Sequence, residues 1–145
     1  MAFHFALGTV LRVRDIVEAK EERVLQTILF EISKTRDALA RVQKEIEAAV
    51  ISRNAGALDR SLALELHASY GELNQLRARS EELAEQIRKF EILKDKQVII
   101  FEQARRNREM LTDMRAKKLN AYESDIARGE QKIMDDNFIA RRGRL

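Results

Sequence analysis

The sequence of 145 residues has no proline and only five glycines. Those two residues supply most of the backbone geometry from which tight turns are built. A chain so poor in them cannot fold into a β-sandwich, an α/β sheet or any other architecture that reverses direction every ten residues. Leu, Ala, Glu, Lys and Arg fill it instead, the composition of long helices and coiled coils. Its length is that of one domain.

The one clear interruption is Ser52-Arg53-Asn54-Ala55-Gly56-Ala57. Asn54 and Gly56 suit a helix C-terminus because both tolerate positive φ. Asp59 or Ser61 is placed to cap the helix that follows. The expected fold is all-α, an antiparallel two-helix coiled-coil hairpin whose second helix is longer and overhangs at its C-terminal end. Its parts are a helix over residues 5–52, a turn over 53–58, a helix over 59–138 and a basic tail over 139–145. Gly71 and Gly129 fall inside the second helix, each costing about 1 kcal/mol relative to alanine.

Apolar spacing supports the pairing. The first helix carries Leu7, Val10, Val17, Val24, Ile28, Ile32, Leu39, Val42, Ile46 and Ala49, with Thr35 as a polar member. Two successive steps of four, Val24 to Ile28 to Ile32, read as a stutter that locally unwinds a supercoil. The second helix carries Leu62, Leu66, Ser69, Leu73, Leu76, Ser80, Leu83, Ile87 and Phe90, a coiled-coil seam over four heptads. Acid-to-base pairs at i,i+4 decorate the exposed faces: Asp37 with Arg41, Glu85 with Lys89, Glu102 with Arg106 and Asp113 with Lys117. Folding back from the turn uses up the first helix near Arg105–Arg108. Beyond it Arg108, Arg115 and Lys118 fall where a seam wants apolar residues. Leu111, Met114, Tyr122, Ile126 and Ile133 then form a stripe with no intramolecular partner.

Function classes narrow quickly. Without cysteine, disulfides, thiol catalysis and iron–sulfur clusters are out of reach. His4 and His67 alone offer little to a metal, so no metal or cofactor is expected. Carboxylates such as Glu21-Glu22 and Glu81-Glu82 lie on solvated faces, and a helix pair has no concave site in which to shift a pKa. No enzyme is expected. Residues 1–104 carry 16 basic against 17 acidic residues, whereas residues 105–145 carry 11 against 7. The basic excess therefore sits in the last third, facing an acidic partner or solvent. Its densest cluster, Arg105, Arg106, Arg108, Arg115, Lys117 and Lys118, is scattered around the helix with only Phe101 and Tyr122 nearby. Nucleic acid is not an expected partner. No stretch has the roughly 20 apolar residues of a membrane span. The apolar start, Met1 to Leu11, lacks a basic leader and a cleavage site, so the expected location is the cytoplasm.

The two ends carry a resemblance. Phe3-x-Phe5-x-Leu7-x-x-Val10-Leu11-x-x-Arg14, with Ile16-Val17-Glu18-Ala19-Lys20-Glu21 after it, resembles the opening of the flagellar export protein FliJ family. Glu130-Gln131-Lys132-Ile133-Met134-Asp135-Asp136, with Arg141-Arg142, resembles that family's closing segment and basic tail. The likeness spans the chain. It departs at Asp136, where glutamate is usual, and in lacking aromatics just before the turn.

The resemblance implies a cytoplasmic part of a flagellar or virulence type III export apparatus, built like the central stalk of rotary ATPases. A hexameric export ATPase (FliI-like) would be bound and stimulated, and an export gate protein (FlhA-like) and substrate chaperones would be contacted. Any membrane association would come through those partners, at the cytoplasmic face of the inner membrane. On this reading the ATPase ring meets Phe3, Phe5, Leu7, Arg108, Arg115, Lys118, Tyr122, Ile126, Ile133, Arg141 and Arg142. The gate meets Leu62, Leu66, Tyr70 and Leu73. Three of those four are also seam positions, for which internal core is the stronger reading; Tyr70 lies off the seam and is the better gate candidate. The competing readings are a stalk subunit of another rotary ATPase, a structural coiled coil that self-associates through its unpaired stripe, and a nucleic-acid-binding hairpin.

Overall fold

The computed structural model describes residues 2–58 and 63–144, with the side chains of 56–58, 63, 64 and 66 left out of that description. It contains two helices, α1 (Gly8–Leu58) and α2 (Ala63–Gly143), and no strand among the described residues. The fold is an all-α helical hairpin. Residues 53–58, where the sequence suggests the turn, are helical. Asn54 and Gly56 are poor helix formers, but the preference amounts to about 1 kcal/mol per residue or less. It yields here to a helix already 45 residues long at Ser52 and to an interaction between Arg53 and Tyr70. Asp59 and Ser61, the expected caps, lie outside the described residues. The basic tail is helical too, through Gly143. At the other end α1 starts at Gly8, so residues 2–7 precede it as a non-helical segment.

The chain divides into two compact units, residues 21–100 and residues 1–20 with 101–145. Within the first, α1 and α2 run antiparallel. Arg53 meets Tyr70, Arg36 meets Glu91 at 2.8 Å, and Glu21 meets Gln97, so one set of numbers falls as the other rises.

The inward rows keep an unbroken alternation of three and four. On α1 they are Glu21, Leu25, Ile28, Ile32, Thr35, Leu39, Val42, Ile46, Ala49 and Arg53, all half-buried or buried. On α2 they are Leu73, Leu76, Ser80, Leu83, Ile87, Phe90, Lys94 and Gln97. The stutter at Val24 is therefore absent. Leu25 takes the inward place and Val24 is 39% exposed. A polar residue, Glu21, occupies the preceding inward position, which is why apolar spacing alone selects the wrong neighbour. The α2 seam likewise continues past Phe90 through polar members.

Those polar members are satisfied. Gln97, buried, donates from Nε2 to the Glu21 carbonyl oxygen at 3.1 Å and to Glu21 Oε2 at 2.5 Å. Thr35, also buried, donates to the Glu31 carbonyl at 2.7 Å. No described buried side-chain nitrogen or oxygen lacks a hydrogen-bond partner. A polar pair in a coiled-coil seam fixes register, because sliding one helix would leave both groups buried and unpaired. The surface pairs differ from those expected from spacing: Glu85 holds Arg88, and Glu109 holds Arg105.

Candidate partner-binding surfaces

In the unit formed by residues 1–20 and 101–145, α1 and α2 are again antiparallel. Arg108 is not a stray cation on a failing seam. Its Nε donates to Glu18 Oε2 at 2.5 Å and its Nη2 to Glu18 Oε1 at 3.3 Å, with Asp15 at 3.9 Å. A guanidinium fork on one carboxylate is the geometry arginine offers and lysine does not. The hydrogen bond to Glu18 raises the Arg108 pKa above its ordinary value; burial opposes this, and the charges of Glu18, Glu109 and Asp15 add to it.

Internal pairing also extends beyond Arg108, where the sequence reading ends it. Residues 2–5 are non-helical and Ala6–Leu7 form the turn into α1. The Phe3 ring lies 5.6 Å from that of Tyr122, tilted by 47°. The Arg115 guanidinium sits 5.8 Å over Phe3, and the Lys118 ammonium 5.6 Å over Phe5. Phe5 is only 7% exposed, Leu7 is half-buried, and the Gly8 amide donates to the Phe5 carbonyl at 3.0 Å, closing the turn into α1. Cations against ring faces are favourable contacts, so two of the basic residues assigned to a partner also clamp the chain's own start. A shallow cleft beside them is lined by Phe3, His4, Phe5, Leu11, Asp15 and Arg115.

Leu111 and Tyr122 are half-buried, not free. Only from Glu123 to Arg144 is every described residue exposed. This stretch holds Ile126, Ile133, Met134, Phe138 and Ile139, each at least 43% exposed, together with Arg141 and Arg142.

In the unit of residues 21–100, the four positions assigned to an export gate separate. Leu62 lies outside the described residues, as does the side chain of Leu66. Leu73 is 1% exposed, a core residue of the helix pair. Tyr70 is 47% exposed, and its ring carries the Arg53 guanidinium 3.6 Å from its centroid, with Arg53 also donating to the Tyr70 hydroxyl. Sequence spacing missed an exposed apolar group on α2: Ile92, Leu93, Ile99 and Ile100. Its members repeat at seven, a signal that shows itself once the seam is followed beyond Phe90.

Among the described residues no His, Cys, Asp or Glu side chains gather as a metal site would require. No described helix is long and apolar enough to cross a membrane. No family model matches the sequence, and no curated protein matches it. Among solved structures, the type III secretion protein YscO from Vibrio parahaemolyticus is similar at 14% identity and a TM-score of 0.41, with 94% of this chain and 91% of that one covered. Long helical pairs reach such a score on matched lengths alone, so the two-helix build rests on this chain's own contacts.

Proposed function

We propose that this chain is a non-enzymatic component of a bacterial type III protein export apparatus, flagellar or virulence-associated. It acts as a stalk-like coiled coil that binds and stimulates a hexameric export ATPase and connects it to the export gate and to chaperones. The observation that carries the reading is the construction of the unit holding both chain ends. There the Phe3–Leu7 segment is clamped on α2 by Tyr122, Arg115 and Lys118, and α2 runs on bare, with exposed apolar residues, through Arg142. These are the two regions whose residues resemble the FliJ family; the first packs on α2 at residues 115–122 and the second lies further along the same helix. A clamped start gives the bare segment a rigid base, and the basic excess of residues 105–122 around that base suits an acidic ring lumen. Charge of this kind sets orientation and association rate more than affinity.

The test is ATP hydrolysis by the candidate export ATPase with and without the full chain, together with the mass of the complex. Stimulation at one chain per ATPase hexamer is expected. Ile126→Asp with Ile133→Asp should abolish it while leaving helicity unchanged. An ATPase whose turnover and assembly ignore the protein overturns the proposal.

A further inference from the structure

Ile92 and Ile99 occupy the row of α2 opposite its inward seam, and Leu93 and Ile100 a row about 100° further round, with Lys89 and Lys96 on the row between. Ile92, Ile99, Leu93 and Ile100 are 56%, 68%, 49% and 49% exposed. Pairing with α1 cannot cover the outermost row of a helix. One heptad earlier the same two rows hold Glu85 and Gln86, the solvated residues normal there. The four aliphatic side chains expose on the order of 400 Å² of apolar surface, the size at which a patch marks a contact site. We infer that this face of α2 is the contact surface of an antiparallel homodimer.

The argument for a second copy is the spacing. Two apolar pairs stand seven residues apart, about 10 Å along the helix. A two-fold axis at the level of Lys96 brings Ile92 of one copy level with Ile100 of the other, and Leu93 level with Ile99. One such contact satisfies both patches and closes the assembly at two chains. The two patches with a polar rim approach the roughly 1,200 Å² at which stable interfaces begin. The rim (Glu85, Arg88, Lys89 and Asp95) mixes both signs, and Lys96, at the axis, contributes its aliphatic stem while its ammonium reaches water. An anionic lipid surface would need basic rows on both sides of the apolar one.

The dimer is independent of the export role, since none of its residues is assigned to the ATPase. Sedimentation of the full chain from micromolar to several hundred micromolar should show a concentration-dependent dimer. Ile92→Lys with Ile99→Lys, both at exposed positions, should weaken it at least ~10-fold with unchanged far-ultraviolet circular dichroism. Because the chain has no cysteine, single introduced thiols report orientation. Lys96→Cys should cross-link to its own copy. Lys89→Cys, about 20 Å from its copy in the antiparallel arrangement, should not. A monomer throughout, a dimer indifferent to the lysine pair, or equal cross-linking at both positions overturns the inference.

Discussion

Single residues in this protein differ in importance by how completely they leave water. Leu73 is almost wholly enclosed, at 1% exposure. Leu73→Ala should cost about 2–5 kcal/mol, because a long helix pair collapses only partly around a missing side chain. Thermal unfolding followed by circular dichroism would read this as a fall of several degrees. Arg36 with Glu91 is the counter-example: both side chains are well exposed at 59% and 41%, and Arg36→Ala should change stability by less than about 1 kcal/mol. Arg108 lies between these cases. Its raised pKa means that its contribution is complete below arginine's ordinary range and is lost only as pH rises through the still higher folded value. The destabilisation caused by Arg108→Met should therefore be the same at neutral pH and at about pH 10, measured as a difference in melting temperature. A melting temperature indifferent to Arg108→Met would mean Arg108 is not held by Glu18 in solution.

At the scale of the element, α2 is an 81-residue helix that contains Gly71 and Gly129 with open space where a Cβ would stand. Alanine at either position should stabilise by about 0.5–1 kcal/mol, through helix propensity and a less flexible unfolded chain. Gln97 shows a different trade. Gln97→Leu places an apolar group in the seam but strands the Glu21 carboxylate, so it should destabilise and, unlike a glycine replacement, also loosen register. Spin labels on the two helices would detect the second effect as a broadened distance distribution. The non-helical segment 2–7 behaves as an element in its own right, held largely by aromatic contacts. Phe5→Ala should free it, raising proteolysis within residues 2–7 while the helical signal stays nearly constant. Unchanged cleavage would show that Phe3 with Tyr122 suffices to hold the segment.

At the scale of the whole molecule, the absence of proline, the scarcity of glycine and the heptad spacing were enough to state an all-α pair of helices, because those features depend only on local backbone preferences and periodicity. The same periodicity failed wherever the inward residue was polar. Glu18, Glu21, Lys94, Gln97 and Arg108 sit on seam rows, and a rule that selects apolar residues steps over them, creating a stutter at Val24 and an early end at Phe90. The turn was misplaced for a related reason: Asn54 and Gly56 express a weak local preference, overruled by the helix that runs through them to Leu58. Of the candidate surfaces, sequence alone placed Ile126 and Ile133 on an uncovered stripe, and both are exposed. It put Leu73 on the seam and Tyr70 off it, as the structure has them, but it could not decide that Arg115 and Lys118 lie over Phe3 and Phe5, or that Ile92, Leu93, Ile99 and Ile100 remain uncovered. Each of those is a contact between residues far apart in the chain, and which partners meet is fixed only when the helices adopt one register.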